Sequence, residues 1–258
     1  MIAPPDPRLR ACVCIPAHQE QQLIGACIEA LGATAGLGRD EWEVLIADDR
    51  CTDDTPLRAR RAARRHAITL HVLRGGPGVG AARRLAMNIA CERLHAVGRP
   101  RGLIACTDAD TEVTPEWLSR QLDAIGAGAG AVAGCIDVHP RDHAALDPAT
   151  LQVRVLRKER AMRRLHAGGW PAEHGFFGGA SLGVTPEAYL AAGRLPPLRA
   201  LEDVAFETAL MEAGIRIDRT RAVRVVTSGR VQGRATKGLA AQLAEDEGLA
   251  PAEPVFGR

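Results

Sequence analysis

Short apolar runs alternate with amphipathic stretches through the first half of the chain. Runs of this length, bounded by polar or turn-forming residues, are typical of buried strands, and the stretches between them repeat apolar residues at helical spacing. Strands that alternate with helices form a mostly parallel sheet, so the pattern predicts an α/β fold. The predicted strands of this half are 11–15, 43–47, 68–73, 102–107 and 131–138.

The segments between these strands repeat their apolar residues with helical periodicity. The first predicted helix, 21–31, carries its apolar residues on one stripe and stops at Gly32. Thr52 is predicted to cap the second helix, with Asp53 and Asp54 in the first turn, where the helix dipole favours anions. Two further helices are predicted at 79–95 and 115–127.

After Val138 the pattern of apolar and polar residues changes. An Arg-rich helix is predicted at about 150–166, followed by a Gly-rich loop at 168–183. We expect one domain, in which 139–234 is a variable substrate-side region and 235–258 is a poorly ordered polar tail. The remaining predicted elements are helices at 186–192 and 202–213 and a strand at 215–226.

Composition places the chain among ordinary globular proteins. Its 258 residues are 46% hydrophobic, which excludes a disordered chain, and its net charge of +2 gives no global field for nucleic acid or an anionic membrane. The ten residues at the start contain no apolar run of signal-peptide length, and the longest uncharged stretch, 124–136, is too short to cross a bilayer. Seven cysteines without a C-x-x-C pair indicate neither a disulfide framework nor a zinc site. We therefore expect a cytoplasmic protein with reduced cysteines.

Two carboxylates stand where the fourth predicted strand ends. Asp108 and Asp110 follow the apolar run that ends at Cys106, and alternation along an extended chain puts both on one side. Ligands of open α/β sheets gather at the carboxyl ends of the strands, and Mg²⁺ or Mn²⁺ takes carboxylate oxygens together with substrate phosphates. The pair predicts a divalent-cation site, although a D-x-D triplet alone also fits a solvated turn.

Other segments at strand ends form an ordered series with this triplet. The series consists of CIPAHQE at 14–20, IADDRCTDDT at 46–55, GVGAARRL at 78–85, TDAD at 107–110, FGGAS at 177–181 and the pair ED at 202–203. In their order and spacing these segments resemble family 2 glycosyltransferases, whose nucleotide-sugar domain has the GT-A fold, and the resemblance runs from about Cys12 to Ile217. It implies a single GT-A domain in which about 11–138 binds the nucleotide sugar and about 139–234 faces the acceptor.

The resemblance implies a role for each matched position. Asp110 would hold Mn²⁺ or Mg²⁺ on the diphosphate together with Asp108, and Asp203 would be the general base with Glu202 beside it. Arg83 would lie near the diphosphate or the base. Of the remaining matches, Pro16, Ala17 and Glu20 would line the nucleotide, and Asp48 and Asp49 would contact the base and ribose.

The chain also departs from the family pattern. Arg50 and Cys51 stand where the family has small residues, and Arg84 stands where an Asn is common, so the nucleobase pocket is not specified. All eight histidines precede Glu202, so no His metal ligand is expected from the segment after Glu202. The Q-x-x-R-W signature and membrane helices of processive synthases are absent. A soluble enzyme that makes single transfers is therefore expected.

The expected reaction moves a sugar from a nucleoside diphosphate, with uridine favoured on family grounds, to an acceptor hydroxyl with inversion. Neither the sugar nor the acceptor is specified, and nucleic acid is not an expected partner. A nucleotidyltransferase of related fold and a non-catalytic nucleotide-sugar-binding protein remain alternatives. A serine esterase, which the G-x-S-x-G string around Ser181 would indicate, lacks the His that must follow the nucleophile. A dinucleotide fingerprint at 76–80 follows the wrong strand and lacks its acid.

Overall fold

A computed structural model describes residues 2–143 and 148–230. Within these ranges one eight-stranded sheet lies between two layers of helices. The strands are β1 (Ala11–Ala17), β2 (Trp42–Asp48), β3 (Leu70–Arg74), β4 (Leu103–Cys106), β5 (Thr111–Val113), β6 (Ala131–Val138), β7 (Leu182–Val184) and β8 (Ile217–Thr227). The helices are α1 (Ile24–Gly32), α2 (Thr55–Arg65), α3 (Val79–Ala96), α4 (Trp117–Gly126), α5 (Pro140–His143), α6 (Pro148–Ala167), α7 (Pro186–Ala191) and α8 (Glu202–Glu212).

The sheet is mostly parallel, in the order β3-β2-β1-β4-β7-β6-β8-β5. β1 pairs in parallel with β2 and β4, β2 with β3, and β6 with β8. β7 runs antiparallel between β4 and β6, and β5 runs antiparallel to β8. The carboxyl ends of the parallel strands, the start of β7 and the start of β5 therefore lie along one edge of the sheet.

The two faces of the sheet are covered by different helices. Side chains alternate across a strand, so Val13 and Ile15 of β1 face a core shared with α1, α2 and α4. Cys12 and Cys14 face the opposite core, which α3, α7 and α8 cover. Both faces of β1 are buried along its whole length, as a central parallel strand requires.

The structure confirms the α/β class and the five strands predicted in the first half, with shifts of a few residues at their ends. It adds β5, β7 and α5, whose three or four residues are too short to show a period. β7 occupies the end of the segment predicted as a loop, 168–183. The predicted tail, 235–258, lies outside the described residues.

The predicted cap of α2 is wrong. The helix begins at Thr55, three residues after Thr52. Thr52 instead turns toward the loop after β1, where its Oγ1 accepts a hydrogen bond from Gln19 Nε2 at 2.7 Å. Asp53 Oδ1 accepts from the Thr55 main-chain N–H at 3.0 Å, so the acidic side chain organises the turn that precedes the helix. The hydrogen bond from Gln19 to Thr52 thus replaces the capping contact that the local sequence predicts for Thr52.

Glycine at position 80 allows α3 to pack against the loop that leads to α8. A Cβ added to Gly80 would overlap the main-chain carbonyl of Leu198, and neither backbone is free to move aside. We expect Gly80→Ala to lower the free energy of unfolding by about 1–3 kcal/mol, the usual cost of overpacking, measured by urea denaturation. Gly126→Ala, at a helical glycine with nothing within 4 Å, is the control. Equal stability of the two variants would contradict the prediction.

Candidate active site

Six segments meet at the edge formed by the carboxyl ends of the parallel strands. The loops after β1, β2 and β4 bring the residues of the predicted donor site. The turn at Gly179–Ser181 lies at the same edge because β7, which it precedes, runs antiparallel to its neighbours. The start of α8 carries the pair predicted to be catalytic, and Arg230 follows β8.

Arg83 occupies the centre of this arrangement and is buried. Its Nη2 donates to Asp108 Oδ1 at 3.0 Å, and its Nε donates to Glu202 Oε1 at 3.3 Å. Its Nη1 donates to the Gly179 carbonyl at 2.8 Å. The side chain is only 3% exposed, so the structure places it beneath the site rather than in it. Arg83 therefore lies next to the predicted metal carboxylate but is enclosed by protein groups.

A second arginine closes the other side of the acidic pair. Arg230 binds Asp110 Oδ2 at 2.8 Å and donates to both carboxylate oxygens of Glu20, at 2.9 and 2.5 Å. Burial and the neighbouring Asp108 raise the pKa of Asp110 to about 6, and the pairing with Arg230 offsets part of that rise. Two carboxylates thus stand close enough to repel each other, and one guanidinium stands beside them.

The acidic pair fits a hard divalent cation. Both groups offer carboxylate oxygens, the ligands that Mg²⁺ and Mn²⁺ prefer, and the mutual repulsion seen in the pKa of Asp110 is what a bound cation relieves. Among the described residues, no group of three His, Cys, Asp or Glu side chains is arranged to hold a metal ion. A cation held by Asp108 and Asp110 would therefore complete its coordination with substrate oxygens and water.

The two predicted base-contacting carboxylates differ in their surroundings. Asp49 is buried, and its Oδ2 accepts a hydrogen bond from the Gly78 main-chain N–H at 2.8 Å, which fixes the turn before α3. Asp48 is half-buried, and its Oδ1 accepts from the Cys51 N–H at 2.8 Å. Asp48 thus has the more accessible carboxylate, whereas Asp49 serves the local loop.

The loop after β1 is tied to the loop after β2. His18 Nδ1 lies 2.6 Å from the Asp49 carbonyl, and Gln19 Oε1 accepts from the Thr52 N–H at 2.9 Å. Pro16 and Ala17 are buried at the end of β1. A nucleotide would therefore contact this part of the chain only along its exposed edge. The two loops form one connected wall.

The pair at the start of α8 separates into a buried and an accessible carboxylate. Glu202 is buried against Arg83, and burial raises its pKa while the guanidinium opposes that rise. Asp203 is half-exposed, and its Oδ2 accepts from the Gly179 N–H at 3.2 Å. Only Asp203 is therefore placed to meet a second substrate at the surface.

Three non-glycine residues at this edge have the left-handed backbone conformation. They are Gln19 and Arg50, both with φ of 54°, and Leu201, with φ of 59°. Such conformations cost free energy and concentrate at functional sites. Each stands beside a predicted site residue: Glu20, Asp49 or Glu202. Among the described residues, Ala67 and Arg194 also have positive φ and stand beside no predicted site residue, so the conformation accompanies the site without defining it.

The structure also removes the esterase alternative. Ser181 is buried, and its Oγ accepts a hydrogen bond from the Trp117 indole N–H at 3.1 Å. A nucleophilic serine must be exposed and paired with a base. Ser181 is therefore a structural residue of the turn before β7.

Arg230, which follows the strand predicted at 215–226, is not among the site residues predicted from the sequence. The signal was present: β8 pairs in parallel with β6, so a residue just after its end must lie at the same edge as Asp110. Gly179 was predicted only as part of the segment 177–181, and its contact with Arg83 depends on tertiary packing.

Comparison with known proteins addresses the family and the fold of the chain. The family model described as Glycosyl transferase family 2 matches residues 12–182. No curated protein matches the chain by sequence. None of the helices in the described ranges combines the length and the apolar character that a membrane span needs.

Solved structures share the fold. The mannosyltransferase PcManGT of Pyrobaculum calidifontis, in complex with GDP-Man and Mn²⁺, is 25% identical with a TM-score of 0.63, over 89% of this chain and 60% of that one. TarS 1-349 of S. aureus, in complex with UDP-GlcNAc, is 15% identical with a TM-score of 0.64, over 89% and 61%. Glucosyl-3-phosphoglycerate synthase of M. tuberculosis is 17% identical with a TM-score of 0.55, over 95% and 82%. The chain thus spans about three fifths of the first two proteins.

Proposed function

The chain belongs to glycosyl transferase family 2, and from this premise we propose that it transfers one sugar from a nucleoside diphosphate to an acceptor hydroxyl, with inversion and with a divalent cation. One observation carries the proposal. The paired carboxylates Asp108 and Asp110 and the accessible carboxylate Asp203 meet at one edge of the sheet, on either side of the buried Arg83.

The donor is proposed to bind along the wall formed by the loops after β1 and β2. Asp48, whose carboxylate is the more accessible of the two predicted base and ribose contacts, is the stronger candidate for a ribose hydroxyl. Asp49 would act by holding the turn before α3. Uridine remains the favoured base, and the structure of PcManGT with GDP-Man and Mn²⁺ supports a sugar nucleotide as the class of donor.

The donor diphosphate is proposed to lie beside the acidic pair. Asp108 and Asp110 would hold Mn²⁺ or Mg²⁺, which stabilises negative charge on the leaving diphosphate. Arg230 supplies a fixed positive charge at the same place and can bind phosphate oxygens with its planar fork. Glu20 orients that guanidinium from the other side. The chain therefore provides two carboxylates for the cation and one arginine for the phosphates.

The acceptor hydroxyl is proposed to approach Asp203. Asp203 takes the proton as the hydroxyl oxygen attacks the anomeric carbon, and the diphosphate leaves from the opposite face of the sugar. A single base of this kind gives inversion in one displacement. Glu202 cannot take this role while it is enclosed beside Arg83, so the two adjacent carboxylates have separate functions.

The compartment is part of the proposal as well. We place the enzyme in the cytoplasm, because its seven cysteines contain no C-x-x-C pair and indicate no disulfide framework. Each productive encounter adds one sugar, since the signature of processive synthases is absent from the sequence.

Binding of a nucleoside diphosphate tests this proposal without knowledge of the acceptor. We expect uridine diphosphate or guanosine diphosphate to bind much more tightly with Mn²⁺ than with EDTA, because the cation joins the acidic pair to the phosphates. A ligand at one hundred times its Kd adds about 2.7 kcal/mol to the free energy of unfolding, enough to detect by thermal shift. Calorimetric titration then gives the Kd. Failure of both diphosphates to bind with any divalent cation would refute the proposed function.

A further inference from the structure

Arg83 makes one hydrogen bond in each of three directions from a buried position. Its partners are Asp108 in the loop after β4, Glu202 at the start of α8, and the carbonyl of Gly179 before β7. A buried guanidinium is costly unless its donors are satisfied, and here each of its three nitrogens has a partner. These partners belong to three different segments of the active-site edge, so one side chain holds the three together.

Gly179 extends this set of contacts to the proposed base. Its carbonyl accepts from Arg83 at 2.8 Å, while its own N–H donates to Asp203 Oδ2 at 3.2 Å. A Cβ at this position would lie 2.5 Å from both Cζ and Nη2 of Arg83. Residue 179 must therefore lack a side chain for the guanidinium to keep its place. A continuous chain of contacts runs from Asp108 through Arg83 and Gly179 to Asp203.

We propose that Arg83 is a positioning residue that couples the donor half of the site to the acceptor half, so that the orientations of Asp108 and Asp203 are set together. The proposal rests on the proposed function, since it assigns Asp108 to the donor and Asp203 to the acceptor. A lysine cannot replace this arginine, because one ammonium on a flexible stem does not reach three partners in the fixed geometry of a guanidinium.

Coupling of this kind means that a change on the acceptor side of the site affects the donor side. Gly179→Ala adds a methyl group on the acceptor side and removes no charged side chain. The methyl displaces the guanidinium, so Asp108 loses its partner and its orientation. A substitution beside the base is therefore expected to weaken binding of the donor diphosphate, which a residue of purely acceptor-side function would not do.

The test measures binding of the tighter of uridine and guanosine diphosphate by calorimetry, with Mn²⁺ and with EDTA. We expect Gly179→Ala and Arg83→Lys each to weaken Mn²⁺-dependent binding at least about fivefold, the lower end of usual coupling between sites. Because both act through one guanidinium, the double variant is expected to be no weaker than the worse single variant. Binding measured with EDTA is expected to change little.

Two control variants separate coupling from general stability. Arg93→Lys alters another buried arginine, which donates to Glu43 Oε2 at 2.6 Å and to the Ala3 carbonyl at 2.7 Å near the opposite edge of the sheet. Gly126→Ala adds a methyl group where nothing lies within 4 Å. Both controls are expected to keep the diphosphate Kd within about twofold of the parent protein, whatever their stability.

The possible results are distinct. Parent-like Mn²⁺-dependent binding in Gly179→Ala overturns the coupling, as does parent-like binding in Arg83→Lys with a loss of stability similar to that of Arg93→Lys. If Arg83→Lys fails to fold, Gly179→Ala still decides, because it retains the arginine. Absence of diphosphate binding in the parent protein would instead refute the proposed function, and is recognised before any variant is compared.

Discussion

Asp110→Asn is expected to abolish measurable transfer while leaving the protein folded. The substitution removes one of the two carboxylates that would hold the cation on the diphosphate. Such charge stabilisation is worth several kcal/mol in the transition state, and about 1.4 kcal/mol corresponds to a tenfold change in rate. The rate should therefore fall roughly 1,000-fold or more, and Mn²⁺-dependent binding of the diphosphate should be lost with it.

The stability of Asp110→Asn is not expected to fall with its activity. Burial and the neighbouring Asp108 raise the pKa of Asp110 to about 6. A carboxyl whose pKa is raised on folding disfavours the folded state once the pH exceeds its ordinary value, so its charge is a cost at neutral pH. We expect Asp110→Asn to be at least as stable as the parent in urea at pH 7. The exposed Asp123, on α4, provides the control Asp123→Asn, for which transfer should not change.

The same substitution can also refute the assignment. Transfer by Asp110→Asn at the parental rate, with unchanged Mn²⁺ dependence, would show that the cation is held elsewhere. A fall in stability together with the loss of activity would mean that Asp110 serves chiefly to neutralise Arg230.

Asp203→Asn is expected to lower the turnover number at least about 100-fold, because general-base assistance commonly contributes about 10² to 10⁴ in rate. An asparagine keeps the size of the side chain, and its oxygen still accepts from the Gly179 N–H, but it cannot take a proton. The Kd of the donor diphosphate should stay close to that of the parent, since Asp203 acts on the acceptor. Steady-state kinetics with a responsive acceptor, alongside calorimetry, measures both quantities.

Glu202→Gln is the matched comparison for the adjacent carboxylate. Glu202 is buried and paired with Arg83, so Glu202→Gln should disturb the position of the arginine without removing the base. We expect a smaller fall in turnover than for Asp203→Asn. The reverse order, with Asp203→Asn active and Glu202→Gln inactive, would exchange their roles. Normal turnover in both variants would place the base elsewhere or exclude glycosyl transfer.

The sequence alone determined the fold class and the edge of the sheet at which the proposed site lies. Hydrophobic periodicity is a local property, so it located the five strands of the first half, and the acids that follow strand ends predicted Asp108 and Asp110 as the proposed cation-binding pair. Parallel strands bring their carboxyl ends to one edge, so residues far apart in the chain, such as Asp48 and Asp108, could be assigned to one site before the structure was known. Three-residue strands such as β5 escaped this reasoning because they show no period.

Only the tertiary structure decided which of these residues are buried and which are exposed at the proposed site. Glu202 and Asp203 are neighbours with the same charge, and no local pattern tells which turns inward; the start of α8 buries Glu202 on Arg83 of α3 and leaves Asp203 accessible. Arg83 matched a motif that implied a ligand contact, yet it lies beneath the site because its three partners come from segments that meet only in the fold. Arg230 reaches Glu20 across 210 positions of sequence. Contacts between residues so far apart in the sequence depend on how the layers of the fold pack. The periodicity of apolar residues is a local property and does not predict them.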